Sequence, residues 1–121
     1  GMFLRYGKSS YWINNTSAPN NDKLRQHSNG SANTGTWAHL AFSREASASG
    51  GIWGNYRTYV NGAKDAGPIN KQAKFSTGAL LYMGKAITGA EYYLNGALDD
   101  LRIYDRVLSD AEVKALHDLG Q

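Results

Sequence analysis

The stretch of residues 95–120 constrains the fold more than any other part of the chain. In it, Leu101 and Ile103 alternate with Arg102 and Tyr104, which is the pattern of a strand that has one buried face. Such a strand needs a hydrophobic layer to cover its apolar side. The sequence therefore predicts a strand that closes a layered sheet structure.

A short helix is predicted directly after this strand. Ser109 can accept a hydrogen bond from the amide of Glu112, and the Glu112 carboxylate can bond back to the Ser109 amide, which makes a capping box. Val113, Leu116 and Leu119 follow at helical spacing and predict the buried stripe of the helix. A glycine after Leu119 ends the helix. We expect this helix to cover the sheets as a lid.

A tight hairpin is the second strong signal. Residues 56–60 are predicted as a strand, and Asn61 and Gly62 supply the two positive-φ residues of a type I′ turn into residues 63–66. Residues 36–44 are predicted as a further strand with bulky side chains on both faces, which indicates a central position in a sheet.

The spacing of strands and turns predicts the fold class. We expect about eight or nine short strands, in one domain over residues 1–121, because this length supports one core. The fold class predicted is all-β, an antiparallel β-sandwich or jelly roll with a short C-terminal helix. The chain has no cysteine, so disulfides and thiolate metal sites are excluded and the fold must depend on packing.

Composition excludes two classes of partner. Lysine and arginine number 13 against 10 acidic residues, a net charge of +3, and this excess is too small and too scattered to predict nucleic-acid binding. Apolar residues are 41% of the chain and form no long run, so membrane insertion is not expected. The first residues also lack the apolar core of a signal peptide.

Residues 96–116 resemble the C-terminal signature of laminin-G-like domains in the concanavalin A-like lectin/glucanase superfamily. Two earlier segments support this resemblance in the right order: residues 36–42 are similar to the W-x-H-V-A strand of the family, and residues 59–62 to its Y-V-N-G hairpin. The resemblance implies a sandwich of two sheets, a structural tryptophan at Trp37, and a secreted or cell-surface location.

The start of the chain departs from that family pattern. The resemblance implies several strands before Thr36, and only residues 3–26 stand in their place. A sandwich without its early strands leaves sheet edges open. Two explanations remain: the domain is N-terminally incomplete, or another copy of the chain completes the sheets.

Catalysis is not predicted, although the superfamily includes glucan hydrolases. Their retaining mechanism needs two carboxylates about 5 Å apart, which those enzymes place on one strand as E-x-D-x-x-E. The one close pair on a predicted strand is Asp99 and Asp100. Neighbouring strand residues point to opposite faces, so these two cannot flank one bond.

Asp99 is the candidate metal ligand. Its predicted place on the apolar face is costly unless the carboxylate is paired, hydrogen-bonded or bound to a cation. In the superfamily the matching aspartate often binds a structural Ca²⁺, and the resemblance carries that role to Asp99. The alternatives are hydrogen bonds from loop amides and an ion pair with a lysine or arginine.

Sugar recognition combines aromatic ring faces with hydrogen-bonding amides. The candidate carbohydrate-binding residues are Trp53 and Asn55 in a long loop, the adjacent Tyr56, Trp12, and Tyr93. The alternative is that these aromatic residues fill the core. We predict a non-catalytic, lectin-like module for a polysaccharide or glycoconjugate. The alternatives are a protein-interaction or adhesion module and an accessory domain fragment of a larger glycan-active enzyme.

Overall fold

The computed structural model describes residues 2–5, 8–14, 23–27, 35–46, 53–72, 83–87 and 91–120. Within these ranges the elements are β1 (Met2–Arg5), β2 (Lys8–Asn14), β3 (Lys23–His27), β4 (Leu40–Ala46), β5 (Trp53–Val60), β6 (Ala63–Gln72), β7 (Lys85–Ile87), β8 (Glu91–Tyr93) and α1 (Asp110–Leu119). The strands form sheets in the orders β1-β2-β3, β4-β5-β6 and β7-β8. All pairs are antiparallel, so the described elements are those of an antiparallel β fold with a C-terminal helix.

The hairpin between β5 and β6 has the predicted turn. Asn61 and Gly62 have φ angles of 51° and 75°, the positive values that a type I′ turn requires. The turn also holds the start of β4, because the Asn61 amide donates to the His39 carbonyl at 2.8 Å. The His39 amide in turn donates to Asn61 Oδ1 at 3.0 Å. The predicted hairpin is therefore confirmed.

β5 and β6 do not keep one register along their length. Tyr56 pairs with Ile69, and Val60 pairs with Ala63, so five residues of β5 lie against seven of β6. The register shifts lie on either side of Thr58. The extra residues make β6 irregular, whereas β5 pairs with β4 without interruption.

One face of β5 is buried, and we call it the inner face. It carries Tyr56 and Thr58, which are 0% and 3% exposed. The Phe42 ring stacks on the Tyr56 ring with centroids 5.9 Å apart, and Arg44 Nε donates to the Tyr56 hydroxyl at 3.2 Å. Tyr56 is therefore a core residue, which contradicts its prediction as a carbohydrate-binding residue.

The opposite face of β5, the outer face, carries the side chains that alternate with those of the inner face. At one end it is covered by α1. The Tyr59 hydroxyl donates to Asp110 Oδ1 at 2.9 Å, Lys64 Nζ donates to Asp110 Oδ2 at 2.8 Å, and Val113 is 2% exposed. The helix therefore lies on the sheet as predicted, anchored at its N-terminal end.

The capping box is present. The Glu112 amide donates to Ser109 Oγ at 3.2 Å, and the Ser109 amide donates to Glu112 Oε2 at 2.8 Å. Leu119 is 79% exposed, so its predicted place in the buried stripe was wrong. The physical reason is that the sheet ends at Gly62, which lies beneath His117, and the last turn of the helix extends past that end.

Glu112 makes the folded state sensitive to acid. Hydrogen bonds from Arg106 and from Ser109 lower the pKa of Glu112 from 4.5 to about 2. A carboxylate with a lowered folded-state pKa stabilises the protein above its unfolded pKa, and that contribution is lost as the pH falls through the folded value. Urea unfolding between pH 4.5 and about 2 should therefore show a shallower pH dependence for Glu112→Gln than for the wild type. An unchanged slope would contradict this role.

The predicted closing strand is not formed. Leu101 and Ile103 are 59% and 76% exposed, and no described residue pairs with this segment as a strand. Asp100 has a φ of 51°, which interrupts the extended alternation on which the prediction rested. Arg102 nevertheless binds Asp100 through two bonds of 2.9 and 2.7 Å, as expected for neighbouring side chains of opposite charge.

Trp37 is not a core residue in this structure. It is 71% exposed, whereas the family resemblance placed a structural tryptophan there. The reason is that β4 begins only at Leu40, so Trp37 lies before the first paired residue.

Candidate functional site

The outer face of β5 carries four polar or aromatic side chains in a row: Trp53, Asn55, Arg57 and Tyr59. They occupy alternate positions of one strand, so neighbours in the row lie about 7 Å apart. Trp53 is 37% exposed at the end farthest from α1. The row presents an aromatic ring, an amide and a guanidinium group in order, and it ends at Tyr59, which is 1% exposed beneath α1.

Asn55 has a matched partner on β6. Asn70 lies directly opposite it in the register, and Asn70 Nδ2 donates to Asn55 Oδ1 at 2.9 Å. This bond uses one of the two amide hydrogens of Asn70, and each side-chain amide has further donors and acceptors to offer. The pair is a polar patch beside the Trp53 indole.

A cleft lies at the other end of the row. It has a volume of about 290 Å³ and separates the outer face from the start of α1. Its lining includes Glu45, Arg57, Tyr59, Lys64, Leu108 and Asp110. Arg57 belongs both to the row and to the cleft, so the two surfaces are continuous.

The charges of the cleft are paired with one another. Arg57 Nη2 lies 3.0 Å from Glu45 Oε2, and Lys64 Nζ lies 2.8 Å from Asp110 Oδ2. Hydrogen bonds from Lys64 and then from Tyr59 lower the pKa of Asp110. Burial, followed by the bond to Asp110, raises the pKa of Tyr59. At neutral pH the cleft therefore holds an ionised Asp110 and a protonated Tyr59.

The structure brings together only some of the predicted sugar-binding residues. Trp53 and Asn55 share the outer face, but Trp53 begins a strand instead of lying in a loop. Tyr56 is on the inner face and is buried. Tyr93 is 66% exposed on β8, in a different sheet. Trp12 is in β2, and its side chain lies outside the described residues.

Sequence reasoning missed Arg57, Asn70 and the cleft. The signal for Arg57 was available, because alternation along a strand that starts at Trp53 places Asn55 and Arg57, not Tyr56, on the tryptophan side. Asn70 had no such signal, since its place opposite Asn55 depends on the irregular register of β6.

Asp99 is exposed, and its Oδ1 accepts a hydrogen bond from the Asp100 amide at 2.8 Å. This contact matches the loop-amide alternative. Calcium takes six to eight oxygen ligands, and the described residues contain no group of three or more histidine, cysteine or acidic side chains that could hold a metal. Ca²⁺ at Asp99 therefore stays a prediction.

His39 lies under α1. Its ring centroid is 5.9 Å from that of His117, and its buried Nδ1 has no hydrogen-bond partner. Burial, together with nearby His117 and Arg102, lowers the pKa of His39. The neutral imidazole of His39 therefore packs against His117 of α1.

A laminin-G family model, described as the concanavalin A-like lectin/glucanases superfamily, matches residues 1–114. This range includes all eight described strands and the first half of α1. No curated protein and no solved structure gives a significant match. Among the described residues, no helix has the length and apolar character needed to cross a bilayer.

Proposed function

We propose, on the premise that this chain belongs to the laminin-G-like group of the concanavalin A-like lectin/glucanases superfamily, that it is a non-catalytic module that binds a polysaccharide or glycoconjugate outside the cell. The observation that carries the proposal is the exposed Trp53 indole beside the Asn55–Asn70 amide pair on one sheet face. An extracellular location and the two-sheet sandwich are the context that the family suggests for this module.

The arrangement suits a sugar ring. An indole offers a flat apolar surface for the C–H face of a pyranose, and side-chain amides beside it can bond the hydroxyl groups at the ring edge. Trp53 is also held in place by its backbone, since it pairs with Gln72 of β6 and its carbonyl accepts a bond from Arg44 Nη2 at 3.3 Å. A binding residue on a strand is ordered before the ligand arrives, which lowers the entropy cost of binding.

The electrostatics of the cleft support a binding role over hydrolysis. A general acid must keep its proton near neutral pH, whereas the pKa of Asp110 is lowered by Lys64 and Tyr59. Glu45 is engaged by Arg57 at 3.0 Å. Asp110 therefore does not have the environment of a catalytic acid.

Trp53→Ala is expected to weaken glycan binding about tenfold or more, which corresponds to roughly 1.4 kcal/mol. The reason is that the substitution removes the stacking surface and leaves the sheet intact. Binding would be measured on a glycan array and then by calorimetry with the best ligand. Trp37→Ala is the matched control, because Trp37 is also exposed, at 71%, but precedes β4 at the opposite end of the sheet. An equal loss in both variants, or no loss in Trp53→Ala, would contradict the assignment.

A protein-interaction or adhesion module is the second candidate. The exposed apolar side chains of Leu98, Leu101 and Ile103 favour it, because an apolar patch suits a protein surface. The partner proposed in that case is another copy of the chain that completes the sheets. Absence of binding to every glycan on the array, together with a dimer in sedimentation velocity, would favour this function. The accessory domain of a larger glycan-active enzyme remains compatible with glycan binding.

A further inference from the structure

We infer that the rings of His39 and His117 form a pH-sensitive contact, which we call the histidine latch, and that it releases the C-terminal half of α1 in mildly acidic solution. The two rings lie side by side where the helix meets the start of β4, with centroids 5.9 Å apart. Protonation of His39 puts a positive charge into this contact. The inference concerns the attachment of the helix and does not depend on glycan binding.

The helix lies close to the hairpin turn at this point. An added Cβ at Gly62 would lie 3.0 Å from the His117 Cβ and 3.2 Å from the Lys114 Cα, so the turn and this part of α1 are in direct contact. The backbone of His39 is fixed to the same turn, because it exchanges two hydrogen bonds of 2.8 and 3.0 Å with Asn61. The His39 backbone is therefore held beside the helix when its ring becomes charged.

The surroundings of His39 favour the neutral ring. Its Nδ1 is buried and has no hydrogen-bond partner. In the cation both ring nitrogens are donors, so Nδ1 would then carry a buried N–H without an acceptor, which is costly. Burial, followed by the proximity of His117 and Arg102, lowers the pKa of His39.

The charges near the latch do not balance a proton on His39. The charged and titratable groups there are His117, Lys114 and Asp118 of α1, and Asp100 and Arg102 of the segment before it. The turn contributes Asn61 and Gly62, which do not titrate. Asp118 contacts both His117 and Lys114, so it can balance a charge on His117. Asp100 is bound by Arg102 through two hydrogen bonds, and it opposes the charge of His39 less than the nearby cations add to it.

The sign of the pKa change fixes the pH range of release. A histidine in the open state has an ordinary pKa of about 6.5, and His39 in the closed state has a lower pKa. The open state therefore binds more protons, so the latch is fully stable above about pH 6.5 and weakens as the pH falls towards the lower value. The carboxylates of α1 titrate in a more acidic range, because hydrogen bonds from basic side chains lower the pKa of Asp110, Glu112 and Asp118.

The N-terminal half of α1 stays attached when the latch opens. Asp110 accepts hydrogen bonds from Tyr59 and Lys64 at 2.9 and 2.8 Å, and Val113 is 2% exposed. None of these contacts involves a histidine. The expected change is therefore a loosening of the last turns of the helix, which uncovers the hairpin turn beneath His117.

The test is hydrogen exchange of the full chain at about pH 7.5 and about pH 5.5, on either side of the ordinary histidine pKa. NMR would follow single amides, with each rate divided by the intrinsic rate at that pH. Protection of residues 116–120 should fall several-fold at the lower pH, up to the limit of about tenfold per pH unit that one proton sets. Protection of residues 53–66 should not change. An equal loss in the hairpin would overturn the inference, because the whole sheet would then be opening.

His39→Gln removes the titrating ring and keeps both backbone bonds to Asn61. The matched control is His27→Gln, because His27 is in β3, in a different sheet. The pH response of residues 116–120 should disappear in His39→Gln and persist in His27→Gln. A wild-type response in His39→Gln, or an equal reduction in both variants, would overturn the inference.

A titration of the wild type decides the question if His39→Gln does not fold or already releases the helix at neutral pH. The ring signal of His39 and the amide signals of residues 116–120 should change with one midpoint, below about pH 6.5. Separate midpoints, or a His39 midpoint at or above that value, would overturn the inference. None of these measurements uses a glycan, so failure of the proposed function would leave the inference standing.

Discussion

Gly67→Ala is expected to lower the free energy of unfolding by about 3 kcal/mol or more, through a clash and an unfavourable backbone angle. Gly67 has a φ of +100°, and an added Cβ would lie 2.3 Å from the Tyr56 carbonyl oxygen and 3.0 Å from the Arg57 Cα. Both atoms are backbone atoms of the central strand, so they cannot move without disturbing its ladder. Urea unfolding followed by tryptophan fluorescence would measure the loss.

Gly35→Ala is the matched control for this substitution. Gly35 has a similar φ of +89°, but an added Cβ there would have nothing within 4 Å. This variant should therefore show only the cost of the positive φ, about 1–2 kcal/mol. Equal losses at the two positions would mean that the close approach of Gly67 to β5 does not contribute.

Tyr56→Ala is expected to cost about 3–5 kcal/mol, the usual range for removing a large buried aromatic side chain. Tyr56 is 0% exposed, its ring stacks on Phe42, and its hydroxyl accepts a bond from Arg44 at 3.2 Å. Truncation leaves a cavity on the inner face of the central strand. Chemical denaturation would measure the change.

Tyr56→Phe separates the stability role from any role in binding. It keeps the ring and removes the bond with Arg44, so a loss of about 1 kcal/mol is expected. Glycan affinity should stay at the wild-type value, because the hydroxyl faces the core side of the sheet. A loss of affinity in this variant, without a matching loss in Trp53→Ala, would restore the assignment of Tyr56 that the sequence alone suggested.

Features that depend on neighbouring residues were predictable from the sequence. The turn at Asn61 and Gly62 needs only two residues that tolerate positive φ. The capping box needs only Ser109 and Glu112, three positions apart. In each case the interacting groups are close in the chain, so the local pattern contains the physical cause.

Features that depend on strand pairing were not predictable in the same way. Trp53 follows a run of small residues and was assigned to a loop, and its pairing with Gln72 of β6 places it at the start of a strand. Neighbouring residues of a strand point to opposite faces, which is why Tyr56 was grouped with Trp53 and Arg57 was missed. The prediction of a strand at Leu101 was wrong for a related reason, because the alternation of apolar and polar residues could not reveal the positive φ of Asp100.

The cleft of the candidate site was not predictable from local sequence either. The cleft depends on the bond between Tyr59 and Asp110, which are 51 positions apart, and on the pairing of Lys64 with the same carboxylate. No local pattern relates a strand residue to the first residue of a distant helix. The sequence predicted aromatic and amide side chains on this surface at Trp53 and Asn55. The cleft could be recognised only in the folded structure.

The uneven register of β6 has a consequence for the behaviour of the protein in concentrated solution. Among the described strands, β6 lies at the edge of its sheet, where unpaired backbone groups can recruit a strand from a neighbouring molecule. The two additional residues of β6 bend its backbone away from a regular ladder. We expect an incoming strand to pair less regularly with such an edge, which disfavours edge-to-edge association on this side of the sheet.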